Sequence, residues 1–132
     1  MNYIIDTHIL IWLLFDHKKI SKEKLEILKN PKNKIFITSI SFWEISIKYA
    51  LKKIELNGIY PEDLSKKCIQ MGLRILDIDV NSMSSYYKLP KFDNHKDPFD
   101  RLIIKCAIDK NYILVSNDSK FKDYKDFGLK LL

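Results

Sequence analysis

Short β-prone apolar runs alternate with stretches of helical periodicity along the whole chain, and this alternation restricts the fold more than any other feature. Tyr3 to Ile5 is a first strand ended by Asp6-Thr7, after which Ile9, Leu10, Trp12, Leu13 and Leu14 supply an apolar helix. Ser21 is placed to cap a Lys/Glu-rich helix through Leu25 and Leu28, closed by Asn30-Pro31. Lys34 to Thr38 reads as the second strand, and a helix apolar over most of its circumference follows from Ser41 to Lys53. Pro61 opens a further helix through Leu64, Cys68 and Met71, and Gly72 stops it. Arg74 to Ile78 is the third strand, Asn81 to Tyr87 a short helical stretch, and Pro90 to Lys96 a polar loop. Asp97-Pro98 then starts a helix with Leu102, Ile103, Cys106 and Ala107 inward; Tyr112 to Val115 is the fourth strand and Leu129 to Leu131 a short fifth. Helices alternating with strands that are apolar on both sides imply a parallel sheet covered on both faces. The expectation is one α/β domain over residues 1–132, three layers α/β/α, with a central parallel sheet of four to five strands.

Composition excludes several function classes. The longest apolar run, Ile9 to Phe15, is far below the roughly 20 residues that span a bilayer, and Met1-Asn2-Tyr3 lacks the basic start of a signal peptide. A cytoplasmic location with no membrane partner is expected. Cys68 and Cys106 stand singly in helical segments, which suits buried reduced thiols rather than a disulfide framework. The net charge of +6 comes from 23 basic residues against 17 acidic ones, and all the basic residues except Arg74 and Arg101 are Lys. That surplus favours a polyanionic partner such as nucleic acid. Three glycines leave no Gly-rich phosphate loop, and no Ser/His/Asp order stands out.

In such a sheet, ligands sit outside the carboxyl ends of the strands, beside the point where strand order reverses. Four acids fall at that edge: Asp6 after the first strand, Glu44 in the first turn after the second, Asp100 in the first turn of the late helix, and Asp118 after the fourth strand. Each acid alone has a capping explanation, with Ser41-Phe42-Trp43-Glu44 fitting a capping box and Asp97-Pro98 a cap followed by proline. Together they pose an electrostatic problem. Carboxylates ~5 Å apart at an effective dielectric constant near 20 repel by about 3 kcal/mol per pair, so several pairs rival a domain's stability of roughly 5 to 15 kcal/mol. Protonation would relieve this, and so would a divalent cation; hard oxygen donors without a His/Cys cluster select Mg²⁺ or Mn²⁺. Mg²⁺ held by few carboxylates keeps waters in its shell, which suits hydrolysis of phosphodiesters.

Four segments, Ile4-Ile5-Asp6-Thr7-His8, Ser39-Ile40-Ser41-Phe42-Trp43-Glu44-Ile45, His95-Lys96-Asp97-Pro98-Phe99-Asp100-Arg101-Leu102-Ile103 and Ser116-Asn117-Asp118, in this order and spacing, resemble the PIN-domain ribonucleases, in particular the VapC-like toxins of bacterial type II toxin–antitoxin pairs. The resemblance implies a Mg²⁺- or Mn²⁺-dependent endoribonuclease acting on RNA, often tRNA or rRNA, through a metal-activated water that leaves a 5′-phosphate and a 3′-hydroxyl. It implies a cognate antitoxin protein and a homodimer as partners. It places Asp6, Glu44, Asp100 and Asp118 in the catalytic pocket, with Asp6, Asp100 and Asp118 as metal ligands. Asn117 stands where many relatives carry Thr or Ser.

Three further residues are candidates for substrate binding. Lys48 either ties to Glu44 four residues earlier or contacts phosphate; His95, in the polar loop, either lies in solvent, meets RNA or orients an acid; Arg101 either grips phosphate or pairs with a pocket acid. Asp97 reads as the cap. The rival function is a catalytically silent RNA- or protein-binding domain of the same fold, against which the retention of all four acids argues. A haloacid-dehalogenase-type phosphatase would want a second Asp where His8 stands.

Overall fold

The computed structural model describes Met1–Leu132. The strands are β1 (Asn2–Ile5), β2 (Lys34–Thr38), β3 (Arg74–Leu76), β4 (Ile113–Val115) and β5 (Lys130–Leu131); the helices are α1 (Thr7–Phe15), α2 (Lys22–Lys29), α3 (Ser39–Ala50), α4 (Leu64–Gln70), α5 (Val80–Ser84) and α6 (Pro98–Lys110). All five strands are parallel in the order β3-β2-β1-β4-β5. The chain steps outward from β1 through β2 to β3, then returns to pair β4 against the other side of β1. The strand order therefore reverses between β1 and β4, where Asp6 N–H bonds Val115 O at 3.2 Å.

Alternation along β1 explains the layers. Tyr3 and Ile5 enter one core with Leu10 and Leu13 of α1, Ile45 of α3 and Cys68 of α4. Ile4 enters the other with Leu114 of β4, Ile103, Ile104 and Cys106 of α6, and Phe121 and Tyr124 beyond β4. A strand whose successive side chains are both buried must be covered on both faces, so the three-layer arrangement is a direct consequence of its composition. Burial pushes both cysteine thiols up to about 11, which leaves them protonated and inert in separate cores.

Helix boundaries depart from expectation where tertiary contacts outweigh local signals. Helix α3 starts two residues early, directly from β2, with Thr38 as an N-cap that makes no side-chain cap bond. Ser41 is therefore inside the helix, its hydroxyl meets Thr7 instead of the backbone, and the expected capping box does not form. The helix ends at Ala50, before the left-handed Lys52, rather than at Lys53. Gly72 stops α4's segment at φ +87, a conformation glycine adopts without strain. β3 is shorter than expected, and residues Tyr86–Lys88 form a 3-10 turn after α5. No helix is long and apolar enough to cross a membrane.

Candidate active site

The carboxyl end of β1 passes straight into α1, and Asp6 occupies the junction as the N-cap, accepting from Ile9 N–H at 2.8 Å. The capping explanation is thus correct for Asp6 and does not exhaust its position, because the residue also stands at the strand-order reversal and is only 2% exposed. Burial raises its pKa; the Ser116 side chain, the Ile9 amide and His8 pull it back, and Asp118 adds to the rise. Asp97 caps α6 through Phe99 N–H (2.9 Å), which places Asp100 in the first turn as expected. Burial, followed by the charges of Asp97, Glu44, Asp6 and Asp118, pushes Asp100 up to about 8. The four acids thus act on one another electrostatically around Asp100.

Glu44 arrives differently from expectation, in the second turn of α3 rather than the first. It is buried, with Thr7 Oγ1 2.7 Å from Oε1 and Lys48 Nζ 2.9 Å from Oε2. Thr7 Oγ1 also lies 2.8 Å from Ser41 Oγ. Since a hydroxyl has one proton, Thr7 gives it to the carboxylate and receives the Ser41 proton. Trp43 packs edge-on against Phe99, centroids 5.4 Å apart, and joins α3 to α6 beside the two acids they carry. Asp118 caps the 3-10 segment Ser119–Phe127 through Lys120 N–H (3.0 Å), and its own amide bonds Ser116 Oγ (3.0 Å).

Side chains of His95, Asp100 and Asp118 each offer a ligand atom within 4.8 Å of the others. Of the expected ligands, Asp100 and Asp118 thus lie in one close group with His95, and Asp6 lies near enough to act on the charge of Asp100. Two buried carboxyls, a third at the rim and the displaced pKa of Asp100 fit a hard divalent cation, which would favour the ionised oxygens over the protonated ones.

The three candidate substrate residues fare differently. Lys48 ties to Glu44. His95, for which solvent was one option, is 3% exposed, because Phe121 and Tyr124 of the second core pack around its ring. Arg101 pairs with none of the pocket acids: its guanidinium donates to Tyr124 Oη (3.3 Å), Tyr86 Oη (2.8 Å) and the carbonyls of Leu89 and Pro90 (3.1 Å each). A buried arginine whose fork is spent on neutral acceptors anchors the loop before α6.

Sequence reasoning missed Thr7 and Lys24. Lys24 of α2 donates to Ser116 O (3.1 Å) and Asn117 Oδ1 (2.5 Å) and interacts with the charge of Asp6. Asn117, the departure from the familiar motif, thereby acquires a role as a lysine anchor. Lys24, Lys122 and Lys125 line a cleft of about 340 Å³ that includes Asp118. The largest cavity, about 610 Å³, lies at the amino ends of β2 and β3 and touches none of the four acids.

The family model of the PIN domain matches residues 3–126. The chain belongs to the PIN-domain family. Among solved structures, this PIN domain is similar to a chain of VapBC2 from Rickettsia felis bound to a DNA fragment from their promoter: TM-score 0.70, 28% identity, covering 100% of this chain and 98% of that one. A chain of VapBC-1 from nontypeable Haemophilus influenzae shares the fold at TM-score 0.69 and 23% identity, covering 100% and 97%. Mycobacterium tuberculosis VapC20, a toxin that cleaves the sarcin-ricin loop, shares it at TM-score 0.58 and 12% identity, covering 92% and 93%. No curated protein matches the sequence.

Proposed function

We propose that this PIN domain is a Mg²⁺- or Mn²⁺-dependent endoribonuclease and the toxin of a toxin–antitoxin pair. The observation that carries this reading is Asp100, buried among three other pocket acids and pushed up to about 8, a condition that a dication relieves. A bound dication would neutralise the pocket and acidify a water for attack on a phosphodiester. This chain's own residues prepare the site. Asp6, Asp100 and Asp118 would hold the ion, and Asp100 would release its carboxyl proton on binding. Thr7 and Lys48 fix Glu44 in one orientation, and Ser116 steadies Asp6. Lys24, Lys122 and Lys125 lie where they attract the backbone of an RNA strand approaching Asp118.

The VapBC neighbours support a protein antitoxin as partner, and VapC20, which cleaves the sarcin-ricin loop, supports structured RNA as substrate. The exposed apolar side of α3, where Trp43 is 60% and Tyr49 37% exposed, suits a homodimer or an antitoxin segment. A cytoplasmic location accords with both. Purified antitoxin-free protein is expected to cleave RNA with Mg²⁺ or Mn²⁺ and not in EDTA. Asp6→Asn and Asp100→Asn are expected to abolish cleavage with circular dichroism unchanged, and to lift growth arrest on induction. Cleavage surviving either substitution overturns the mechanism, whereas RNA binding without any cleavage in the wild type would favour the silent binding domain.

A further inference from the structure

The mechanism above leaves the buried imidazole of His95 unused. Its side chain is 2% exposed and its Nε2 lies 3.7 Å from Asp100 Oδ2, yet that nitrogen has no hydrogen-bond partner. A buried, unpartnered ring nitrogen facing two carboxylates invites assignment as a further metal ligand. The hydrogen-bond chain behind the ring decides against it. Arg101 Nε has only protons to give, and it donates to Tyr124 Oη. The phenol must then place its own proton, and its hydroxyl has one other partner, His95 Nδ1 at 3.1 Å. If Nδ1 accepts, a neutral ring carries its hydrogen on Nε2, the side that faces Asp100. The opposite tautomer would strand the phenolic proton in the core.

An Nδ1 that accepts the phenolic proton carries none of its own, so the same chain of bonds holds the ring in its neutral form. The Arg101–Tyr124–His95 chain is rigid at its base, because the same guanidinium holds Tyr86, Leu89 and Pro90.

We propose that His95 is a positioning residue, locked by Arg101 and Tyr124 as the Nε2–H tautomer, which donates to the Asp100 carboxylate and holds it toward the cation instead of ligating the cation itself. The proposal rests on the nuclease reading of the acid pocket. The 3.7 Å separation tightens to a hydrogen bond when the site is filled, since such contacts are commonly long in ligand-free sites. Ligating carboxylates characteristically receive a hydrogen bond of this kind.

Histidine ¹⁵N NMR on the full chain tests the tautomer directly. Protonated Nε2 and bare Nδ1 are expected, with and without Mg²⁺, and Tyr124→Phe, which removes the phenolic proton, is expected to shift the ring toward Nδ1–H. A bare Nε2 in the wild type overturns the proposal. Calorimetry with Mn²⁺ separates donor from ligand: His95→Gln, which still offers an N–H, is expected to keep affinity within about 3-fold, while His95→Ala loses roughly 10-fold or more. Equal losses in both variants mean direct ligation and overturn it. In cleavage, His95→Ala is expected to lower kcat by about 10- to 100-fold with KM little changed and His95→Gln to recover most of it; no recovery counts against positioning. The NMR and Mn²⁺ measurements need no turnover, so an inactive protein would sink the nuclease reading and leave the tautomer separately decided.

Discussion

Replacing Asp100 by Asn is predicted to stabilise the metal-free protein while destroying its activity. Asp100 is pushed up to about 8 in the fold, chiefly by burial, against about 4 in an unfolded chain. Between those two values the folded state holds a proton on this carboxyl that the unfolded state has lost, so stability falls as pH rises through the window. Four decades of pH at about 1.4 kcal/mol each give an upper figure of roughly 6 kcal/mol. Because Asp6 and Asp118 share the repulsion, about 3 to 6 kcal/mol is the expected range for the gain at pH 8.5, shrinking toward zero near pH 4. Asn keeps the shape of the side chain and removes the charge. Urea unfolding in EDTA, on both proteins at pH 5, 7 and 8.5, measures the difference. Mg²⁺ should close the gap by stabilising the wild type more than the variant. Equal stability of the two proteins in EDTA at pH 8.5 would refute the electrostatic account of the pocket.

Further predictions concern individual supports of the site. Thr7→Val strips the proton donor from buried Glu44 and is expected to cost about 1 to 3 kcal/mol in urea unfolding, with cleavage impaired beyond what the remaining folded fraction explains. Arg101→Lys is expected to lower stability by roughly 2 to 4 kcal/mol, since an ammonium cannot reproduce four bonds from one planar fork; a variant of unchanged stability with only a raised KM would restore the phosphate-gripping role. Lys24→Met should weaken RNA binding at low salt and reduce the slope of log affinity against log salt by about 1. Trp43→Ala removes the edge-on contact with Phe99 and is expected to cost about 1 kcal/mol or slightly more, read as a lowered Tm.

The layers were legible because burial on both faces leaves a compositional mark: Ile4 and Ile5 cannot both be buried in a sheet with one wet side. The positions of Asp6 and Asp100 were legible because strand ends and helix caps have local signatures, and Asp97-Pro98 fixes Asp100 in the first turn. Glu44 was misplaced by a turn because Ser41 has a partner 34 residues away in Thr7, and no local pattern reports a tertiary hydroxyl. His95 and Arg101 were obscure for a related reason. A loop of Pro, Lys, Asp and Asn around His95 looks solvated, yet Tyr124, 29 residues later, draws the ring inward. Lys24 was hidden by its setting, one lysine among three on a Lys/Glu-rich helix, distinguished only by its reach across 92 residues to Ser116.

The claim on which the functional account turns is that acids from β1, α6 and the end of β4 converge on a single cation. Crystals grown without metal and soaked in Mn²⁺ test it most directly through the anomalous difference map. The account predicts a peak within coordination distance of Asp100 and Asp118 carboxylate oxygens, with Asp6 bound directly or through water, and its loss in Asp100→Asn crystals. A map without a peak there, or with Mn²⁺ only at surface acids elsewhere, would contradict it.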